Sequence, residues 1–475
     1  LNAPTPHSIA VIGAGITGLT AAFALQRRGQ AVVVYDSSPR PGGVIRSWRE
    51  NGFLAESGPN TILETSPRIS ALIEDLGLAD RRRYAAPRSA KRFVVRDGKP
   101  VEMPHSAATF LTTPLFSGRA KLRLLAEPFV RRWPANEEED LAHFVERRLG
   151  REFLDYAINP FVAGVYAGDP RHLSVKEAFP KLHALEHRYG SLLAGQFLGA
   201  RARRRRAEVS KSQAKQFSFD QGLQTLIEAL QTRLADALEL STSVDTVRQT
   251  ADGWLIESRG PGGPQAREHS AVIYAGTAHR LPEIELLDGE RIDGARLLQI
   301  QYPPVASLTL GFRRAEIAHP LDGFGVLIPE VERFNILGAI FSSSLFPHRA
   351  PEGHVTLTCF LGGARAPHLA GLEAGARLSL ALHDLRRLLG ATGDPVFAHQ
   401  SVFPQAIPQY EVGYGRFKEW MNQLEVRAPG LFLAGAYRNG ISLGDSIVSG
   451  LGVAPRAESF VTQDSTAPEP SLSTA

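Results

Sequence analysis

The stretch "IAVIGAGITGLTAAFALQRRGQAVVVYDSSPRPGG", Ile9 to Gly43, decides the fold. Ile9 to Ile12 is a short apolar run of the kind buried on both faces of a parallel sheet, and Thr20 to Arg28 has the apolar spacing of a helix. Between them Gly13, Gly15 and Gly18 form GxGxxG in a strand–turn–helix setting. Gly13 permits the tight turn, Gly15 lets a pyrophosphate approach bare backbone, and Gly18 lets the helix pack closely on the strand. The helix N-terminus at Ile16 and Thr17 attracts the anion. Ala31 to Tyr35 reads as the second parallel strand, and Asp36, 21 residues beyond Gly15, stands where an acid accepts hydrogen bonds from a ribose hydroxyl. The expected ligand is an adenosine dinucleotide. This opening alone does not separate NAD from FAD.

Composition narrows the function class. A length of 475 residues gives chain for about three domains and a large core. The 53 basic and 49 acidic residues leave +4, with the basic excess local, so no nucleic-acid partner is implied. The single cysteine, Cys359, excludes an internal disulfide framework and forms no metal site by itself; its default role is a small buried hydrophobe in a reducing compartment. No run of 18 apolar residues exists, and no charged segment followed by an apolar one precedes Ile9. Neither a transmembrane helix nor a secretory signal is expected, although the start at Leu1 rather than Met leaves targeting open. The motif "HALEH", His183 to His187, matches HxxEH, a zinc-binding arrangement, but no third ligand stands out and polar helix positions are expected instead.

Directly after the acid, "RPGGVIRSW" places Arg40, Gly42, Gly43 and Arg46, two flexible backbone positions and two cations beside the pyrophosphate. This resembles the second fingerprint of the amine-oxidase-like flavoproteins, and the resemblance makes the dinucleotide FAD. Further motifs are similar to those of the FAD-dependent, oxygen-using protoporphyrinogen oxidase family. They are "ESGPNT" (Glu56 to Thr61), "KRFVVRDGKPVEMP" (Lys91 to Pro104), "GVYAGDPRHLSV" (Gly164 to Val175), "GFGVLIP" (Gly323 to Pro329), "LGGAR" (Leu361 to Arg365) and "IPQYEVG" (Ile407 to Gly413). The match runs from about Ile9 to about Gly450.

The expected fold is α/β: an FAD-binding Rossmann-like domain assembled from separated segments, an α+β substrate domain and a helical, membrane-associated insertion. The FAD domain is assigned residues 1–88, 217–298 and 426–460, and the substrate domain 89–104 and 299–425. The helical insertion covers 105–216, and 461–475 is a disordered tail. "GLQTLIEALQTRLAD" (Gly222 to Asp236) is helical by its spacing, "LELSTSVDTVRQTADGWLIES" alternates as a strand pair turning at Asp252-Gly253, and "RGPGGPQARE" is a loop. In the insertion, arginines stand beside leucine and phenylalanine. Two readings fit, ordinary amphipathic helices or helices lying on an anionic membrane surface, and the run Arg201, Arg203, Arg204, Arg205, Arg206, Lys211 and Lys215 fits a solvated mobile loop equally well. The expected location is cytoplasmic with peripheral membrane association; a homodimer is left open.

The resemblance also assigns roles. To FAD it gives, besides the first turn and Asp36, the residues Gly58, Pro59, Asn60 and Thr61 of "ESGPNT", Val244, Phe403, and Gly435, Ile441, Ser442, Leu443 and Asp445 of the last glycine-rich turn. Asp445 falls at the expected start of the helix "DSIVSGLGVA", where an N-cap is its ordinary role and a helix end facing a reduced, anionic flavin is its functional one. To a porphyrinogen substrate, a large apolar macrocycle with propionate arms, it gives Arg92 as the cation, Phe324 and Leu327 as apolar walls, and Gly164, whose backbone carbonyl faces the pyrrole nitrogens. The implied reaction is dehydrogenation: hydride leaves a methylene bridge for the flavin, a pyrrolic proton is lost, and oxygen is reduced to peroxide. No catalytic side chain is assigned. Three positions depart from the family: Tyr414 where a histidine is common, Phe403 where a tryptophan is common, and "NGISLGDS" in place of an Asn-Asp-Cys ending. The rival readings are coproporphyrinogen oxidation, an amine oxidase or carotenoid desaturase, and a non-catalytic FAD-bearing membrane scaffold.

Overall fold

A computed structural model describes residues 8–134, 137–198 and 214–464. Five strands from separated parts of the sequence meet in one parallel sheet of order Leu238–Glu239, Val32–Tyr35, Ile9–Ile12, Ala271–Tyr274, Leu431–Leu433. Ile9–Ile12 and Ala271–Tyr274 are buried along their whole length, because helices cover one face and an antiparallel ribbon the other. The helices Ile16–Gln26 and Leu443–Asp464 cross at very close range. A Cβ added at Gly450 would overlap Thr20 Oγ1 and Thr17 O, and Thr17 Oγ1 donates to Ser446 O at 3.2 Å. Glycine there brings the two helix N-termini side by side.

The ribbon holds a difference from the sequence reading. Ser243–Thr250 and Gly253–Gly260 pair as expected, but Arg259 to Glu268 is not a loop: Gly263–His269 forms a third strand, with Trp254 opposite His269 and Gly260 opposite Gly263. Its residues face solvent almost throughout, so no apolar alternation announces it, while the backbone pairing is complete. A small antiparallel sheet of Ile62–Leu63, Gln216–Phe219 and Arg82–Tyr84 joins residues before 88 to those after 216.

The second large sheet has seven strands, in the order Phe397–Phe403, Val305–Arg313, His354–Gly362, Ile336–Ile340, Gly325–Leu327, Phe93–Arg96, Lys99–Glu102. All neighbours are antiparallel except Gly325–Leu327 against Phe93–Arg96. The helix Ala374–Leu389 covers it through Ala381, Leu385 and Leu388. Residues 410–424, expected with this sheet, pack elsewhere: Tyr410, Tyr414, Phe417, Met421 and Leu424 are buried against the parallel sheet and ribbon.

A helical unit built around Leu141, Phe144, Val145, Phe153 and Val162 packs against Val94 of the seven-stranded sheet. Its interior includes a charged network in which fully buried Arg148 pairs with Glu127 at 3.0 Å and with Glu186, which also binds Arg147 at 3.0 Å. Glu186, the acid of "HALEH", thus faces arginines, and among the described residues no group of three or more His, Cys, Asp or Glu could hold a metal. The basic run Arg201 to Arg206 and Lys211 lies outside the described residues. The last helix continues to Asp464, so residues 461–464 belong to it rather than to a tail; 465–475 are outside the described residues. Among the described residues no helix is long and apolar enough to cross a membrane.

Candidate functional site

Gly13 sits at φ +107, against the backbone of Ala275 and Gly276, a position only glycine takes without strain. Gly15 is different: its φ is −69, and a Cβ built on it meets no atom within 4 Å, so its α-carbon faces open space. Gly42 N donates to Ala14 O at 2.7 Å, and Gly43 is held across from Gly15. A Cβ on Gly58 would lie 2.5 Å from Val44 O, which brings "ESGPNT" against the same loop. Two glycine turns therefore frame a bare-backbone cradle at the N-terminus of the helix Ile16–Gln26, whose amides at Ile16 and Thr17 point outward.

The charges around the cradle suit an anion. Half-buried Arg40 has its pKa lowered by burial and then by Arg46, with Asp36 acting the other way. Neither Arg40 nor Arg46 makes an ion pair among the described residues; Arg46 lies over the Trp48 ring at 5.5 Å. Asp36 accepts from Ala14 N at 2.6 Å and Ser38 N at 2.8 Å, which aims its carboxylate across the end of the sheet. Thr242 N donates to Asp36 O at 2.8 Å, and two residues on Val244 is buried beside Tyr35.

On the other side of the crossing, Gly435 at φ +134 and Gly440 at φ +120 shape the last turn. Gly435 N donates to Ser449 Oγ at 3.0 Å, which donates to Asn439 Oδ1 at 2.8 Å. The helix starts at Leu443, two residues earlier than expected, so Asp445 is not its N-cap. Ser442 is the cap and Asp445 the third helical residue, with Asp445 N on Ser442 Oγ at 3.1 Å and Ser442 N on Asp445 Oδ2 at 3.3 Å. Ile441, Ser442 and Leu443 remain half-buried at the turn. Alternation along Phe397–Phe403 puts Phe403 on the same face as Ser401 and His399, the latter 3.1 Å from Ser57.

The substrate candidates fall into two touching pairs. Arg92 is exposed, lies over the Phe324 ring at 5.6 Å and makes no ion pair among the described residues, whereas its neighbour Lys91 binds Asp322 at 2.6 Å. A Cβ on Gly164 would overlap Leu327 Cδ2. Gly164 sits in the last turn of Asn159–Tyr166, which Ala167 ends at φ +51, so its carbonyl lies where the helix no longer supplies N–H partners. Tyr166 adjoins the last glycine turn. Burial and then the Asp445 carboxylate push its phenol up to about 12.

One supporting feature carried no local signal in the sequence. Arg349 and Glu56 are a fully buried pair at 3.3 Å; Arg349 also donates to Asn60 O at 2.8 Å, and Glu56 accepts from Ser47 Oγ at 2.7 Å and Leu223 N at 2.9 Å. Burial raises the Glu56 pKa, and Arg349 opposes that rise. The pair holds the "ESGPNT" turn in place from behind. Its partner lies 293 residues away, and nothing around Arg349 marks it.

Residues 16–457 match the model of the flavin-containing amine oxidoreductases. Protoporphyrinogen oxidase 2 of Arabidopsis thaliana is 33% identical to this chain over 97% of its length and 96% of the relative's. The chain belongs to this flavoprotein family, together with the protoporphyrinogen oxidases. A coproporphyrinogen III oxidase of Bacillus subtilis is 27% identical over 93% and 96%. A solved structure from Exiguobacterium sp. 255-15 shares the fold with a TM-score of 0.79 at 23% identity, covering 97% of this chain and 99% of that one. As a member of the family, the chain is an FAD-dependent oxidoreductase. The residues present fit the cofactor: an open α-carbon at Gly15, two cations without ion-pair partners among the described residues, and two helix N-termini meeting at one crossing.

Proposed function

We propose that this flavoprotein oxidises protoporphyrinogen IX to protoporphyrin IX with oxygen as acceptor. The observation that carries the reading is the contact of Gly164 with Leu327, two residues before Tyr166, whose phenol feels the Asp445 carboxylate, together with Arg92 lying over Phe324. The names of the relatives at about one-third identity support the same substrate class. FAD, held by the Gly13–Gly18 turn, Gly42, Gly43, Gly58 and the 435–445 turn, supplies when bound a hydride acceptor that returns its electrons to oxygen. The protein's own residues bind and orient. Arg92 grips a propionate through its planar fork, Phe324 and Leu327 border the macrocycle, and the Gly164 carbonyl accepts a pyrrole N–H.

Coproporphyrinogen III is the second reading, favoured by the Bacillus relative. Aerobic turnover decides between them. Porphyrin fluorescence accompanied by oxygen uptake should appear with a higher kcat/KM for protoporphyrinogen IX; a higher value for coproporphyrinogen III transfers the assignment, and no porphyrin from either refutes it.

We also propose that the helical unit rests on a membrane surface. Leu111, Leu122, Leu125 and Phe129 are 70%, 69%, 68% and 90% exposed. They are close neighbours: Leu122 and Leu125 lie one turn apart, and Lys121 Nζ donates to Leu111 O at 2.9 Å. Exposed Arg119, Arg131 and Arg132 flank them, the arrangement of an apolar face in lipid with cations among headgroups.

A further inference from the structure

The segment "IPQYEVGY" sends two adjacent side chains to two different elements. Gln409 is buried, and its Nε2 donates to Tyr166 O at 2.8 Å and Ile407 O at 3.0 Å. Two carbonyl partners fix which end of the amide is nitrogen. A Cβ on Gly168 would overlap Gln409 Oε1, so the amide is wedged against the end of the helix that carries Gly164. Tyr410 reaches the other way. Its hydroxyl donates to Ala436 O at 2.5 Å and accepts from Gly440 N at 2.9 Å, closing both ends of the turn between Gly435 and Gly440 with one atom. Tyr414 packs on it at a tilt of 31° with ring centroids 4.4 Å apart and donates to Tyr437 O at 2.5 Å.

The backbone between these contacts is itself fixed. Ser174 N donates to Tyr410 O at 2.9 Å and Val412 N to His172 O at 2.9 Å. Burial also holds the Tyr410 phenol well above its ordinary range, so the hydroxyl stays a donor.

We infer that Gln409 and Tyr410 form a strut that sets the spacing between the substrate-side helix and the flavin-side turn, Gln409 acting on the first and Tyr410 on the second. The inference rests on the function proposed above. Both are positioning residues: their side chains bond carbonyls and amides of this chain. A porphyrinogen carbon must sit within contact range of the flavin, and misplacement by about 1 Å is enough to lower a rate about a hundredfold. Tyr414 supports the same turn, which gives a structural role to a residue that replaces the family's common histidine.

The test compares holoenzymes carrying Tyr410→Phe and Gln409→Leu. The readouts are the visible circular dichroism of bound FAD, its dissociation constant from the apoprotein, and anaerobic flavin reduction as a function of protoporphyrinogen concentration. Tyr410→Phe should alter the dichroism, weaken FAD about five- to tenfold and slow reduction at saturation, with the half-saturating concentration unchanged within about twofold. Gln409→Leu should leave dichroism and FAD affinity at wild-type values, slow reduction at saturation as the lost spacing requires, and raise the half-saturating concentration about five- to tenfold. If Tyr410→Phe fails to fold, Tyr414→Phe should show the flavin-side signature at smaller amplitude. Parallel movement of FAD affinity and the half-saturating concentration in either variant, or movement of neither, overturns the strut. Should wild type be reduced by no porphyrinogen, the substrate reading falls, and amide hydrogen exchange at 164–168 against 436–440 still decides the strut. Exchange should rise at 164–168 only in Gln409→Leu and at 436–440 only in Tyr410→Phe; any other pattern contradicts it.

Discussion

Gly15 and Gly13 are glycines for different reasons, and the difference makes a prediction. Gly13 needs its φ of +107, whereas Gly15 has φ −69 and open space where a side chain would go. Gly15→Val should therefore fold, with an apoprotein Tm within about 3 °C of wild type, yet retain almost no FAD after gel filtration. Stoichiometric FAD in that variant would remove the first turn from the cofactor site. Arg92 is testable at the same scale. Arg92→Ala should raise the half-saturating porphyrinogen concentration ten- to a hundredfold, from about 1.5–3 kcal/mol of charge-assisted bonding, with FAD content unchanged. Arg92→Lys should recover part of the loss, and a porphyrinogen with esterified propionates should handicap wild type but hardly the alanine variant. Equal acid-over-ester discrimination in both proteins would exclude Arg92 as the anchor. The glycine positions were legible because an unusual φ or a close approach leaves its mark at the residue itself. Arg349 behind Glu56 was not, because its meaning depends on a partner 293 residues away.

Elements were legible where one face is buried and obscure where none is. The strand Ile9–Ile12 and the helix Ile16–Gln26 follow from apolar runs, while Gly263–His269 is held by backbone pairing with solvent on its side chains and so read as a loop. At the last helix the acid was found but its place was shifted, since Ser442 and Asp445 cap reciprocally and only one of the two can stand at the N-cap. The helical unit shows the opposite case, an apolar face with none of the described residues upon it. Flotation with anionic vesicles should recover the protein at low salt, less at high salt, and less again when Leu125 and Phe129 are both changed to serine. Equal recovery of the double variant would return these helices to an ordinary solvated surface.

The order of strands in the whole molecule was not written in any local pattern. Leu431–Leu433 completes a sheet begun at Ile9, and the separated-segment assembly could be expected only because the last glycine turn resembles the first. The packing of 410–424 on that sheet, with Tyr410 and Tyr414 bonded to Ala436 and Tyr437 of the last turn, is announced by no single motif. The account's central claim is that one cleft holds FAD and a porphyrinogen in reacting position. Anaerobic mixing of the yellow holoenzyme with protoporphyrinogen IX, coproporphyrinogen III and a primary amine, followed at the flavin's visible band, tests it most directly. Protoporphyrinogen should bleach the band fastest, with the amine inert, and readmitted oxygen should restore the band and, over three two-electron cycles, yield porphyrin. A fully loaded flavin that stays oxidised with both porphyrinogens, or that is bleached by the amine instead, would contradict the account.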